Sequence, residues 1–159
     1  MTKDEFIQAK TFIFLDVDRE IQLARADAAT LQAQGVAPGG ENFLAALGLL
    51  CYTEFGGKLR FNVTRKGKDV ASANFNHFWD LLGAPYQALR ARHNVYDIFR
   101  CGLAHEYYVK KSCTIDMLAR GAGSGIGGES SGRYFFAVES YCRDLKKAFD
   151  DLQVSLYGS

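Results

Sequence analysis

Tyr96-Asp97-Ile98-Phe99-Arg100-Cys101-Gly102-Leu103-Ala104-His105-Glu106-Tyr107-Tyr108 is the stretch that decides how the rest of the chain is read. It lies in the middle of the most strongly helical part of the sequence. At about 100° per residue, residues 90 to 108 sort into two unlike faces. Val95, Ile98, Phe99 and Leu103 form an apolar arc that must pack on other helices. Arg90, Asn94, Asp97, Cys101 and His105 make a narrow polar stripe beside that arc, each three or four residues from the next. Arg100 stands apart from both, roughly 140° around the helix from His105. A core face accounts for the arc; it does not account for a polar stripe this dense.

Upstream, the helix holding this stretch is expected to start at Pro85, after the turn Gly83-Ala84-Pro85, and to run to about Lys110. Asn74 to Leu82 reads as a short helix carrying Phe75, Phe78, Trp79 and Leu82. Residues 58 to 73 are basic and weakly patterned, with Lys58, Arg60, Arg65, Lys66 and Lys68, and read as a loop with short extended pieces. Such clusters are commonly solvated loops; this one is also the best local candidate for a phosphate contact. Glu41 to Phe55 is expected to be a helix that Gly56-Gly57 ends. Near its end, Glu54 reads as an ordinary solvated acid. Residues 4 to 34 carry Phe6, Ile7, Ile13, Phe14, Val17, Ile21 and Leu31 at helical spacing, with no proline or glycine before Gly35. They read as one long helix, closed by the breaker Gly35 to Gly40.

Downstream, Cys113 to Leu118 suits a short strand, and Arg133 to Leu156 a last helix burying Phe135, Phe136, Val138, Tyr141, Leu145, Phe149 and Leu152. Between them, Gly121 to Gly132 reads as a flexible glycine-serine loop. It contains G-x-G-x-x-G at Gly123, Gly125 and Gly128. No strand-glycine-helix unit of nucleotide-binding length surrounds it, so a nucleotide-dependent activity is the weaker reading. The expected fold is all-α: one domain, residues 1–159, built as a bundle of four long helices and one short one, with room for a small β-hairpin before the last.

A net charge of +1 provides no global pull toward nucleic acid or membrane, so an RNA site needs a local or dimeric concentration of charge. Met1-Thr2-Lys3-Asp4-Glu5 lacks a signal-peptide profile, and Phe12-Ile13-Phe14-Leu15 is too short to span a bilayer; the expected location is the cytoplasm. Cys51, Cys101, Cys113 and Cys142 are scattered without a C-x-x-C pair. With His77, His93 and His105 they do not show metal-ligand spacing, so neither metal nor cofactor is expected.

Arg100 to His105, R-C-G-L-A-H, followed by Glu106 and Tyr107, resembles the HEPN superfamily, whose signature is Arg-x(4–6)-His late in a helix of an all-α bundle. The specific likeness covers Asp97 to Tyr108. What the resemblance implies is a homodimer whose motif helices meet in a composite cleft. In active members that cleft cuts single-stranded RNA without metal, the 2′-hydroxyl acting as internal nucleophile, often in toxin or defence systems with an antitoxin or other protein partner. Such chemistry suits these residue types. Arg100 is the expected phosphate clamp, permanently charged and fork-shaped. His105 is the expected proton relay, titrating near neutrality.

One undistorted helix does not serve one phosphate from both residues. Either Gly102 loosens the helix or the partner chain completes the site. The sequence departs from the pattern at Cys101, where active members most often carry Asn or another polar group; a thiol orients an imidazole poorly. Asp97 is the candidate to take over that role. Glu106 completes the motif context, and Tyr107 and Tyr108 are read as base-stacking platforms or as core tyrosines. The competing reading is a non-catalytic HEPN-like module that uses the motif helix for dimerisation or for binding a protein. On that reading His105 is a helix-end dipole partner.

Overall fold

The computed structural model describes residues 1–37, 41–106, 113–119, 121, 123–128 and 132–158, with the backbone alone at Glu41 and Glu106. The chain is predominantly helical, with seven helical segments and two small sheets among the described residues. Three helices are long: α1 (Lys3–Arg25), α3 (Glu41–Phe61) and α6 (Val138–Tyr157). The others, α2 (Ala28–Ala33), α4 (Ala71–Leu81), α5 (Ala84–Arg92) and a π-helix (Tyr96–Glu106), are short. This replaces the expected four long helices and one short one.

Each difference has a local cause. Thr2 and Glu5 start α1 with a reciprocal cap: the Glu5 amide donates to Thr2 Oγ1 (3.3 Å) and the Thr2 amide to Glu5 Oε2 (2.8 Å). The expected single helix over 4–34 breaks at Ala26–Asp27. Ala26 is extended, and the Asp27 carboxylate accepts the amides of Ala29 and Thr30, starting α2. A side chain that can cap stops a helix without any glycine or proline.

Gly56-Gly57 does not end α3, which continues to Phe61. A Cβ at Gly57 would lie 1.9 Å from the Asn74 carbonyl oxygen, and one at Gly56 would lie 2.6 Å from the Phe78 ring. The two glycines let α4 approach α3 at backbone distance. Within the expected loop, β1 (Thr64–Arg65) and β2 (Lys68–Asp69) form a hairpin.

The expected helix from Pro85 to Lys110 is interrupted at His93-Asn94. His93 is extended, and the Asn94 side chain accepts the Asp97 amide at 3.3 Å, beginning a new segment. Residues 107–112 lie outside the described residues.

A hairpin before the last helix gives way to a three-stranded mixed sheet. β3 (Cys113–Asp116) runs parallel to β5 (Tyr134–Ala137), and β4 (Ile126–Gly128) antiparallel to it, in the order β3-β5-β4. Tyr134 to Ala137, expected as the first turn of the last helix, is the central strand of that sheet and runs directly into α6. The formal G-x-G-x-x-G is partly strand β4 rather than loop. A Cβ at Gly125 would fall 2.2 Å from the Tyr141 nitrogen, so this glycine serves close packing on α6.

Phe6, Phe14, Leu49, Leu50, Phe75, Phe78, Trp79, Phe99, Tyr141, Leu145 and Phe149 form one core. Polar groups within it are paired: Trp79 Nε1 donates to the Tyr86 carbonyl (2.8 Å), and the hydroxyls of Thr53 and Tyr141 share a hydrogen bond (2.8 Å); Asn76 Oδ1, also buried, has no partner among the described residues. Val95, Ile98, Phe99 and Leu103 are all buried, which fixes the π-helix against α3 and α4.

Candidate functional site

The motif helix is wide. Between Tyr96 and Glu106 the backbone follows a π-helical, i→i+5 pattern, with the buried Gly102 at its centre. Residues five apart are then about one turn apart, and the angle between Arg100 and His105 falls from about 140° to roughly 50–80°. Gly102 thus lies where the sequence allowed the helix to loosen.

Arg100 is half-buried, its side chain 21% exposed, and its Nε donates to Oε2 of Glu54 at 3.1 Å. Glu54, 26% exposed, lies on α3, 46 residues earlier in the chain, and is a paired carboxylate rather than the solvated acid its sequence context suggested. The contact is side-on, through Nε. Neither terminal nitrogen of Arg100 donates a hydrogen bond to a described residue.

Desolvation works against the guanidinium charge, but Cys51, Glu54 and Tyr96 together outweigh it and raise the Arg100 pKa above its ordinary value. Burial pushes the Cys51 thiol up, so near neutrality the anion beside Arg100 is Glu54. Burial first, and the Glu54 charge second, likewise raise the Tyr96 phenol.

Arg100 lines a cleft of about 260 Å³ with Cys51, Glu54, Phe55, Lys58, Asp69, Ala71 and Asn74. Lys58 pairs with Asp69 across its rim. Among the described residues two cations face two carboxylates, so the described lining of the cleft is electrically balanced.

His105 is exposed and does not line this cleft. Of the chain's three histidines, His93 is hydrogen-bonded through Nδ1 to the Tyr134 hydroxyl (2.9 Å) and His77 packs at a tilt on Phe61 (5.2 Å between centroids). For His105 there is no hydrogen bond or ring contact among the described residues. Arg100 and His105 are therefore brought toward one side of a helix, but among the described residues His105 does not line the cleft that holds Arg100.

The polar stripe drawn on a regular helix is divided by the break at His93-Asn94. Arg90 stays on α5, where Nε and Nη2 grip the two Asp80 carboxylate oxygens at 2.6 and 2.5 Å. Asp97 lies in the first turn of the π-helix, its backbone N–H donating to Asn94 Oδ1. Cys101 is half-buried, one wide turn after Tyr96. Tyr107 and the Glu106 side chain lie outside the described residues.

Glu54 is the residue that sequence reasoning missed. No local pattern marks it, because its role exists only once α3 lies beside the motif helix.

A second feature adjoins the cleft. Leu44, Gly48, Cys51 and Phe55 follow one another at helical spacing along α3, from the exposed Leu44 to the half-buried Phe55, whose ring stacks on Phe149 of the core. Leu44 is 66% exposed, and on the neighbouring α1 Phe12 and Leu15 are each 59% exposed. Between the two helices runs a groove of about 620 Å³ lined by Asp16, Arg19, Glu20, Ala37, Leu44, Ala45, Gly48 and Tyr52, among others. This row of α3 residues thus contributes to both groove and Arg100 cleft.

Among the described residues no three His, Cys, Asp or Glu side chains converge as metal ligands, and no helix is long and apolar enough to cross a membrane. No protein-family model, curated protein or solved structure matches the chain.

Proposed function

We propose that this chain is a HEPN-like, RNA-acting protein of toxin or defence type: a homodimeric, metal-independent endoribonuclease with Arg100 and His105 as its catalytic pair. The observation that carries this reading is the wide helix between Tyr96 and Glu106, which turns two residues five apart toward one side. Two further features support it. Glu54 holds Arg100 by Nε, which leaves the terminal nitrogens for a phosphate oxygen. His105 has no structural partner among the described residues, unlike His77 and His93.

In the proposed reaction the 2′-hydroxyl oxygen attacks the adjacent phosphorus and the 5′-oxygen leaves, giving a 2′,3′-cyclic phosphate and a 5′-hydroxyl. His105 relays a proton at one of these two oxygens, and Arg100 stabilises the charge on the phosphoryl oxygens.

The electrically balanced lining described for the cleft, with His105 outside it, argues for sites shared between two copies. The apolar strip Leu44-Gly48-Cys51-Phe55 beside the cleft is the face on which the second copy packs, its exposed leucines meeting grooves lined by Ala45 and Gly48. Any antitoxin or other protein partner would act by covering this composite cleft.

Cys101 favours a second reading, a non-catalytic HEPN-like module that binds RNA or protein. It stands where active members of that superfamily most often carry Asn or another polar group, and a thiol orients an imidazole poorly.

One experiment separates the two readings. Single-stranded RNA is incubated in EDTA with wild type, Arg100→Ala, His105→Ala and a mixture of the two variants. Wild type is expected to cut and each variant alone to fail. The mixture, whose mixed dimers carry one intact shared site, is expected to recover about a quarter of wild-type activity. Inert wild type, or equal cutting by all, removes the nuclease; a mixture as dead as its components removes the shared site.

A further inference from the structure

The β1–β2 hairpin breaks two local rules at once. Its ladder pairs Arg65 directly with Lys68, and like charges directly opposite each other across an antiparallel pair are destabilising. Its two-residue turn, Lys66-Gly67, has positive φ at both positions (53° and 74°), the type I′ geometry for which Asn-Gly is the favoured sequence. Lysine at the first position bears a left-handed backbone that a β-carbon disfavours. All four strand residues are exposed, and neither Arg65 nor Lys68 is packed in the core to offset these costs. Where local choices oppose the structure they occupy, a function is the usual reason.

The hairpin is nevertheless anchored firmly at its base. The Val70 amide donates to the Val63 carbonyl (2.9 Å), and the Val63 amide donates to Oδ1 of the buried Asn74 (2.8 Å). Lys58 on α3 pairs with Asp69. Lys58, Asp69 and Asn74 are also walls of the Arg100 cleft. Strand alternation puts Thr64 and Asp69 on one face, Asp69 lining the cleft, and Arg65 and Lys68 on the other, with Lys66 at the tip. For none of these three cations is there an ion pair or hydrogen bond among the described residues.

We propose that this hairpin is an arm that grips the phosphate backbone of single-stranded RNA as the strand leaves the Arg100 cleft and passes over the Lys66 tip. The inference rests on the RNA reading given above and names where that RNA is held. It also accounts for RNA binding by a chain of net charge +1: the cations are concentrated where the strand runs. A membrane surface is disfavoured because Thr64 to Asp69 contains no apolar or aromatic side chain to enter an interface. An unpaired strand is favoured because the proposed attack by the 2′-hydroxyl needs a backbone free to turn.

The test measures binding of a fluorescein-labelled oligouridylate as a function of KCl concentration, in a His105→Ala background so that nothing is cut. For single strands each lost phosphate contact lowers the slope of log affinity against log salt by about 0.7. The triple variant Arg65→Gln/Lys66→Gln/Lys68→Gln is expected to lower it by about 2. A charge-matched control, Lys3→Gln/Arg92→Gln/Lys147→Gln, is expected to leave it nearly unchanged. Lys66→Asn creates an Asn-Gly turn. It is expected to raise the melting temperature while lowering the slope, a divergence that a merely structural hairpin would not show.

The arm is overturned by any of four results: no binding to the parent, an unchanged slope in the triple variant, an equal loss in the control, or binding to phosphatidylserine vesicles in place of RNA. Because binding is read without turnover, RNA that is held through the arm but never cut by wild type preserves this inference and removes the nuclease. Cutting with an unaltered salt slope in the triple variant does the reverse.

Discussion

The Glu54–Arg100 contact is the link between α3 and the motif helix, and its strength can be bounded from its geometry. Exposed ion pairs contribute about 0.2–1 kcal/mol, whereas breaking a buried pair costs about 3–5 kcal/mol. This pair is about three-quarters buried and makes a single contact of 3.1 Å. It belongs between those limits, with an expected coupling of about 1–2 kcal/mol. Glu54→Gln keeps the shape and an acceptor oxygen but removes the charge. For a chain of this size, about 1 kcal/mol lowers Tm by roughly 2–4 °C. The assay is thermal unfolding of wild type, Glu54→Gln, Arg100→Gln and the double variant, closed as a cycle. A coupling near 1 kcal/mol, little changed in high salt, is expected for a pair shielded from solvent. Simple additivity, within about 0.3 kcal/mol, would show that Glu54 does not hold the guanidinium and would refute its positioning role.

The two kinds of helical glycine on α3 give opposite expectations. Gly57→Ala forces a β-carbon to 1.9 Å from the Asn74 carbonyl oxygen and is expected to cost about 3 kcal/mol or more by denaturant titration. Gly48→Ala meets only the Tyr52 ring at an ordinary 3.6 Å and is expected to be neutral or to stabilise by about 0.5–1 kcal/mol. Leu44→Glu, on an exposed position, is expected to convert dimer to monomer by sedimentation velocity, with Tm falling only by what the dimer contact contributes; a dimer that persists locates the interface elsewhere. Burial pushes the Cys142 thiol up to about 12, with Asp18 adding to the effect. A raised thiol pKa stabilises the fold below the unfolded value, about 8.5, and that stability is lost as pH climbs toward 12. Alkaline unfolding should therefore move to higher pH in Cys142→Ala relative to that variant's own neutral-pH stability, and Cys142 should resist thiol reagents at neutral pH.

Much of the helical frame was legible because burial and period coincide. Val95, Ile98, Phe99 and Leu103 were placed on one apolar arc and are buried; so are Val138, Tyr141, Leu145, Phe149 and Leu152 on α6. What escaped depended on partners distant in sequence. Gly56 and Gly57 look like a stop signal until α4 is laid against them. Asp27 breaks a helix by its side chain alone, a choice that periodicity does not register. Tyr134 to Ala137 continue the apolar pattern of α6, yet pair with Cys113 to Asp116 about twenty residues earlier. Of the candidate site, Arg100, Cys101 and His105 were visible as a motif. Glu54 was not, since it acquires its place only through α3; of the hairpin, the short extended pieces and the basic charge were legible, but not the pairing that Lys58 and Asn74 anchor.

The wide helix has a consequence for sequence drift around the motif. In an i→i+5 ladder the count of four residues between Arg100 and His105 does the work that three would do in an ordinary α-helix. Deleting one residue between them, or tightening the coil without deletion, are thus not equivalent events. The first keeps guanidinium and imidazole on one flank of a narrower rod; the second swings the imidazole away with every side chain still present. Relatives with a shortened spacer are therefore expected to carry an ordinary α-helix here, and an alanine at Gly102 that restored the tighter coil would separate the pair without touching either member.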